Sequence, residues 1–291
     1  MKKETPLEVF KHNKSVSSKL SEVRTPLQFL IYSLIVAKVD NSLKLENLKE
    51  EDLRLKITHK EILEQLEIKR LQPTFKKEIK ELSHLQIEHL YEDNQNDFRL
   101  INVFSMLDYK NHILTVELNK KVIDYFIDLK SNFLSYSFKS LVKFKSKYTM
   151  FLYDLIQKDY YLLKRKYHFE YDLDFLFDKL QVSAKSMKIY QNFKIKILNK
   201  AMKEINTYTN IKIRYKAIKN AYTVEKIRFL PLSQKDMNNK EEYFVKDYKS
   251  LYEKEQQNNK ELSKICNILD KKFNMIFEKE EEKYLAEIGE I

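Results

Sequence analysis

Residues 186–203, SMKIYQNFKIKILNKAMK, hold five lysines, three carboxamides and no acid. Ammonium groups at that density suit phosphate oxygens, and carboxamides can both donate to and accept from base edges. The chemistry these types offer is recognition of a duplex groove. Ile189, Phe193, Ile197, Ala201 and Ile205 recur every four residues, widened by Tyr190, Leu198 and Met202. That spacing predicts a helix from residue 186 with one side against a core. The opposite side then collects Lys188, Gln191, Asn192, Ile195, Lys196, Asn199 and Lys203, with Lys194 and Lys200 toward its edges. Residues 211–215 and 224–229 have strand composition, and the ribbon they predict carries Arg214 and Lys216 and turns through Lys219, Asn220 and Ala221. A helix followed by a basic hairpin is the recognition half of a winged helix-turn-helix. Taken alone, the stretch also fits a plain surface helix whose lysines are solvated.

Groups for catalysis or metal binding do not converge by motif. The only glycine, Gly289, leaves no way to build a phosphate-cradling loop or a dinucleotide fingerprint. His84 and His89 lie five apart, so on a helix they diverge by about 140°, and no Cys or clustered His completes a metal site. A nicking enzyme that attacks DNA through tyrosine needs a His-x-His strand, and the six histidines never fall that way. The expectation is no catalytic residue, no cofactor and no metal.

Charge narrows the partner. The net charge of +11 and a pI near 9.2 favour a polyanion, either nucleic acid or an anionic membrane surface. The last 59 residues hold 11 Lys and 14 acids, so residues 1–232 carry +14 and the tail −3. The longest apolar run, residues 29–37, is far short of the ~20 needed to span a bilayer and reads as a buried helix, which excludes a membrane-spanning role. The single Cys266 cannot form an intrachain disulfide, and with no signal peptide at the start the expected compartment is a reducing cytoplasm. The excess of Lys, Asn, Ile, Tyr and Phe resembles the output of an AT-rich genome, which puts Asn and Ala in turns where Gly is expected.

The elements that must position these residues can be read in order. Residues 1–20 are polar and irregular and read as a mobile arm. Thr25-Pro26 caps a helix through residue 39, residues 53–57 alternate as a strand, and THKE from Thr58 is a capping box opening a helix to residue 66 or 68. A second helix follows with Phe75, Ile79, Leu82 and Leu85 inside and Lys69, Arg70, Lys76, Lys77 and Lys80 nearby. Residues 98–104 and 113–118 alternate as two strands around residues 108–111. A short helix over 122–129 and a connection over 133–144 follow. The second half repeats the order: a helix over 147–164, a strand over 167–171, a helix over 173–180, the basic helix and the hairpin. Residues 62–68 lie on residues 176–182, and Phe75-Lys76 with Ile79 lies on Phe193-Lys194 with Ile197. The fold class is therefore α+β, two tandem winged-helix domains (21–130 and 131–232) with a charged helical tail over 233–291.

Ser146-Lys147-Tyr148, Leu152-Tyr153-Asp154-Leu155, Phe193-Lys194, Ala201, Glu204-Ile205-Asn206 and Ile227-Arg228-Phe229 together resemble the plasmid replication initiators of the iteron-binding, tandem winged-helix Rep family. The resemblance is clearest over residues 131–232, rests on element order over 21–130, and does not reach the tail. It implies double-stranded DNA with directly repeated origin sequences as partner, host replication proteins, and repression of its own promoter as a homodimer. In the family the first winged helix serves as a dimer interface in one state and reads DNA in the other. On that footing Ile101, Val103 and Phe104 are expected to join subunits at an inverted operator, and Lys69, Arg70, Lys76, Lys77 and Lys80 to meet phosphate at the direct repeat. Lys188, Lys194 and Lys196 fall where the family has DNA-facing basic residues. The family's wing turn has Lys/Arg-Gly-Arg where this chain has Asn220-Ala221-Tyr222, so that phosphate contact is not carried over. The alternative is a transcriptional regulator of the same fold with no part in replication.

Overall fold

The Thr25 hydroxyl accepts from the Gln28 N–H at 3.2 Å, and Pro26 takes the first turn, where no N–H is needed; this is why a helix starts there. The structure is a computed structural model that describes residues 7–20, 23–40, 42–91, 94–127, 133–165 and 168–232. Its first half runs β1 (Glu8–His12), α1 (Asn13–Ser17), β2 (Lys19–Leu20), α2 (Pro26–Lys38), β3 (Arg54–Thr58), α3 (His59–Gln65), α4 (Phe75–Leu82), β4 (Gln86–Tyr91), β5 (Asn94–Asn102), β6 (Phe104–Lys110) and β7 (Ile113–Leu118). The second half runs β8 (Phe133–Ser137), α5 (Phe138–Val142), α6 (Lys147–Asp159), α7 (Leu162–Arg165), β9 (Phe169–Asp172), α8 (Leu173–Lys179), α9 (Tyr190–Phe193), α10 (Asn199–Tyr208), β10 (Ile213–Asn220) and β11 (Thr223–Pro231).

The two halves share a topology as well as an order. In the first, β3 pairs antiparallel with β7, and β7 with β6; in the second, β9 pairs with β11, and β11 with β10. Each three-stranded sheet ties the strand before two helices to the wing hairpin after them. Thr58 caps α3 by accepting from the Glu61 N–H at 3.2 Å. After α3 the chain turns through Glu67 at φ 54°, and after α8 through Gln181 at φ 54°, the positions that the internal repeat aligns. The closing bonds match too: Ile68 N–H to Leu63 C=O at 3.0 Å, and Val182 N–H to Phe177 C=O at 2.8 Å.

Several expectations are corrected. Residues 7–20 are not a mobile arm: β1 pairs with β8 from Glu8↔Ser137 to His12↔Phe133, and Val9 and Lys11 alternate inward and are buried. For the same reason residues 133–144 are not a mere connection but β8 and α5. The long helix over 147–164 breaks after Asp159, and the short one near 122 is a 3₁₀ turn, Lys120–Tyr125. Residues 98–104 do not make one strand, because β5 ends at Asn102 and β6 begins at Phe104. Two hairpins result, β4–β5 and β6–β7, the second turning at Asn111 and His112 with φ of 50° and 61°. Val103 and Phe104 are buried in the core and unable to join subunits; the apolar residues that β5 exposes are Phe98 and Leu100. The expected helical tail, Cys266 and Gly289 lie outside the described residues.

Where β1, α2, β8 and α6 meet, the core holds a charge. The Lys11 Nζ donates to Asp154 Oδ2 at 2.8 Å and to the Tyr136 hydroxyl at 3.2 Å, and Tyr136 in turn donates to Asp154 Oδ1. The ammonium also lies 5.1 Å from the ring centroids of both Phe29 and Tyr32. Helix α6, anchored in this way to the N-terminal strand, packs on its other side against α10. A buried network thus reaches the element that carries the candidate site.

Candidate nucleic-acid interface

Phe193 seats the basic segment. Its ring meets Phe177 of α8 edge to face at 4.9 Å, so the two helices of the second half cross over an aromatic contact. Ile197, Leu198, Ala201, Met202 and Ile205 are buried behind it. The segment is not one helix from residue 186. A 3₁₀ turn, Lys185–Lys188, precedes α9, and between α9 and α10 lies a π turn, Lys194–Leu198, whose bond runs from the Asn199 N–H to the Lys194 C=O. Ile189, expected on the core stripe, is 58% exposed because it stands in extended backbone at the cap, before the helix begins.

Gln191, Lys188, Lys196, Lys200 and Lys203 are exposed, while Lys194 and Ile195 are half-buried on the flank of the π turn. The carboxamides behave less uniformly. Asn192 Nδ2 donates back to the Ser186 C=O at 2.8 Å, and Asn199 Oδ1 accepts from the Tyr215 hydroxyl at 2.6 Å, tying the helix to the wing. In the wing, Asn220 Nδ2 donates to Glu225 Oε1 at 2.8 Å, and Arg214 Nε donates to the Pro231 C=O at 3.2 Å. Lys219 is exposed and Lys216 half-buried along β10. Beyond Ala221, at φ 51°, the fully exposed Tyr222 forms the wing tip. Sequence reasoning named Tyr222 only as a departure in the wing turn and left out the exposed Lys185; the signals were an aromatic in a two-residue turn and a lysine one position before the stretch considered.

In the first half, α4 buries Phe75, Ile79 and Leu82 and exposes Lys76, Lys77 and Lys80, with Lys69 and Arg70 exposed in the turn before it. Its carboxylates point the other way. Glu78 accepts from the Thr25 hydroxyl at 2.8 Å and Glu81 from Gln28 Nε2 at 2.9 Å, so the acids fasten α4 to α2 and leave a lysine-rich outer face. Lys77 reaches Glu81 at 3.7 Å, an exposed pairing worth little. At the junction, Lys147 Nζ donates to the Val23 C=O at 3.0 Å. Burial, with repulsion from Arg24, holds that ammonium below its usual range.

Among the described residues no three His, Cys, Asp or Glu gather as metal ligands, and no helix is long and apolar enough to cross a membrane. No curated protein matches the chain. Among solved structures, the Pi initiator protein in complex with iteron DNA is similar at a TM-score of 0.60 and 18% identity, over 79% of this chain and 98% of that one, a likeness of fold. Domains 2 and 3 of RctB align more loosely, at a TM-score of 0.41 and 9% identity over 79% of this chain and 93% of that one, too loosely to argue from. The sequence itself matches two consecutive family models, "Initiator Replication protein, WH1" over residues 8–157 and "Initiator Rep protein, WH2" over residues 172–230. With both winged helices matched in order over most of its length, the chain belongs to the family of initiator replication proteins.

Proposed function

We propose that this initiator binds directly repeated duplex DNA, the iterons of a plasmid origin, through both winged helices, with the second as the main reader. The observation that carries the reading is the exposed row Gln191, Lys196, Lys200 and Lys203, set on a core-seated helix beside a two-stranded wing. The structurally similar Pi protein was solved with iteron DNA, which supports the same class of ligand here. Membership of an initiator family favours replication over a regulator with no part in it. No residue is assigned a catalytic role. We assign self-association to the first half, where the edge strand β5 presents Phe98 and Leu100 to solvent, and repression of an inverted operator to that dimer. Host replication proteins complete the partners. Footprinting on the parent replicon tests the reading: protection of direct repeats is expected, and protection of a promoter palindrome alone would return the chain to the regulator class. Replacing Lys196 and Lys200 by Ala is expected to weaken repeat binding by about tenfold.

A further inference from the structure

The π turn at Lys194–Leu198 resolves a conflict of phase. In an uninterrupted α-helix, at about 100° per residue, Phe193 would lie about 110° round from the centre of the stripe of Ile197, Leu198, Ala201, Met202 and Ile205. Yet Phe193 is 0% exposed and shares one core with that stripe. The bond from the Asn199 N–H to the Lys194 C=O spans five residues instead of four, so the turn absorbs one surplus residue and about one residue's rotation. On the outer side the same turn brings Gln191 from about 150° to about 50° away from the row Lys196, Lys200 and Lys203. Had the chain only to bury its stripe, a helix one residue shorter would do so without a π turn. That shorter helix would set Gln191 in the same phase as well, so what the surplus residue adds is the swelling of the turn itself, at Lys194–Leu198.

We propose that this π turn is the specificity-determining element of the interface: it swells the helix at Ile195 and Lys196, on the side that carries Gln191, Lys200 and Lys203, and so sets what that side presents to a major groove. The inference rests on the reading of the chain as a duplex-DNA binder and names what in the helix does the reading. Lys196 meets phosphate or a purine edge. Ile195, half-buried next to it in the turn, is the apolar group suited to a thymine methyl. The sum of lysines fixes how tightly any duplex is held, whereas the width of the turn fixes which bases lie beneath it.

Deleting Ile195 removes the surplus residue, returns the segment to α spacing and keeps Phe193 in phase with the stripe. The full-length wild type and the deletion variant are each used to select from a pool of random-sequence duplexes. The variant is expected to keep the wild-type circular dichroism and to hold an unselected duplex within about threefold of wild type, since its lysines are intact. It should bind the motif selected by wild type about tenfold or more weakly and enrich a different or degenerate one. Enrichment of the same motif by both proteins overturns the inference alone. A wild type that enriches no motif sinks the DNA-reading assignment and the inference with it. Should the deletion variant not fold, Ile195→Ala keeps the length: it should lose preference at one base position beneath the turn, and an unchanged motif overturns the proposal.

Discussion

Lys11 and Asp154, 143 residues apart, form an ion pair of 2.8 Å with side chains only 2% and 6% exposed. Burying two charges is costly, and each is tolerated only because the other is present. Lys11→Ala leaves the buried Asp154 carboxylate with the Tyr136 hydroxyl but without its cation and should destabilise the protein by about 3–5 kcal/mol. Lys11→Met together with Asp154→Leu should recover much of that, because an apolar pair removes both desolvation costs, while the Tyr136 hydroxyl loses its acceptor. Urea unfolding of the three proteins decides it. A loss below about 1 kcal/mol for Lys11→Ala would mean that the pair is not what fixes β1.

The same junction sets a response to alkali. Burial, reinforced by the Asp154 charge, raises the Tyr32 and Tyr136 hydroxyls well above the ordinary phenol range, and burial pushes Tyr153 up to about 12. Each folded pKa exceeds the unfolded value near 10, so above that pH the folded state holds more protons than the unfolded one. Stability is then full below about pH 10 and falls as pH rises, by up to about 1.4 kcal/mol per pH unit for each such group. Lys147, lowered by burial, opposes this, since it is the unfolded state that binds its extra proton just below the usual lysine range. Urea midpoints at pH 9 and 11 should fall steeply between the two for wild type and less steeply for Tyr136→Phe.

Much of this fold is legible in the sequence where the relevant physics is local. Capping at Thr25 and Thr58, the apolar periodicity of α4 and the match of residues 62–68 with 176–182 all act within a few residues, and the repeat aligns Glu67 with Gln181, which share φ of 54°. What was not legible depends on distant partners. β1 looks like a polar arm until β8, some 125 residues later, supplies its ladder and Asp154 neutralises Lys11. A constant step of about 100° per residue hides the π turn and the exposure of Ile189. At the site, residue types pointed to groove chemistry, but the bond from the Tyr215 hydroxyl to Asn199 forms only once helix and wing are folded together.

Ala221 turns the second wing with φ of 51°, a region where a Cβ crowds the following carbonyl. With no glycine among the described residues, the chain fills this position with alanine. Ala221→Gly relieves the crowding at some cost in unfolded-chain entropy and should stabilise the protein by up to about 1 kcal/mol. Ala221→Val should destabilise by more than that, as a β-branched side chain fits the region worst. Thermal midpoints of the pair check both signs, and a destabilising glycine would place the turn outside the left-handed region.

The exposed strand β5 offers a test of association. Phe98 and Leu100 are 59% and 48% exposed at the edge of the β2–β4–β5 sheet, an arrangement that invites a second copy to extend the ladder. Phe98→Ser with Leu100→Ser should lower self-association, read by sedimentation equilibrium, without changing the unfolding midpoint. An unchanged association constant would place the dimer interface elsewhere.

The last prediction separates two uses of the first half. Because Glu78 and Glu81 are held inward by Thr25 and Gln28, the outer face of α4 is left to Lys76, Lys77 and Lys80, close to Lys69 and Arg70. A two-fold dimer sets its second-half helices in opposite senses and suits inverted half-sites, whereas one chain carrying two readers in tandem suits a direct repeat. If α4 reads the repeat, Lys76→Ala, Lys77→Ala and Lys80→Ala together should weaken binding to a direct-repeat duplex and lower the slope of log affinity against log salt by about 0.9 for each phosphate no longer neutralised. Binding to an inverted operator, held by the second halves alone, should be spared. The substituted side chains are exposed and the buried face of α4 is untouched, so folding is not at issue. Equal weakening at both sites would show that α4 lies on DNA in either arrangement, and unchanged affinity at both would leave its lysines as solvated surface.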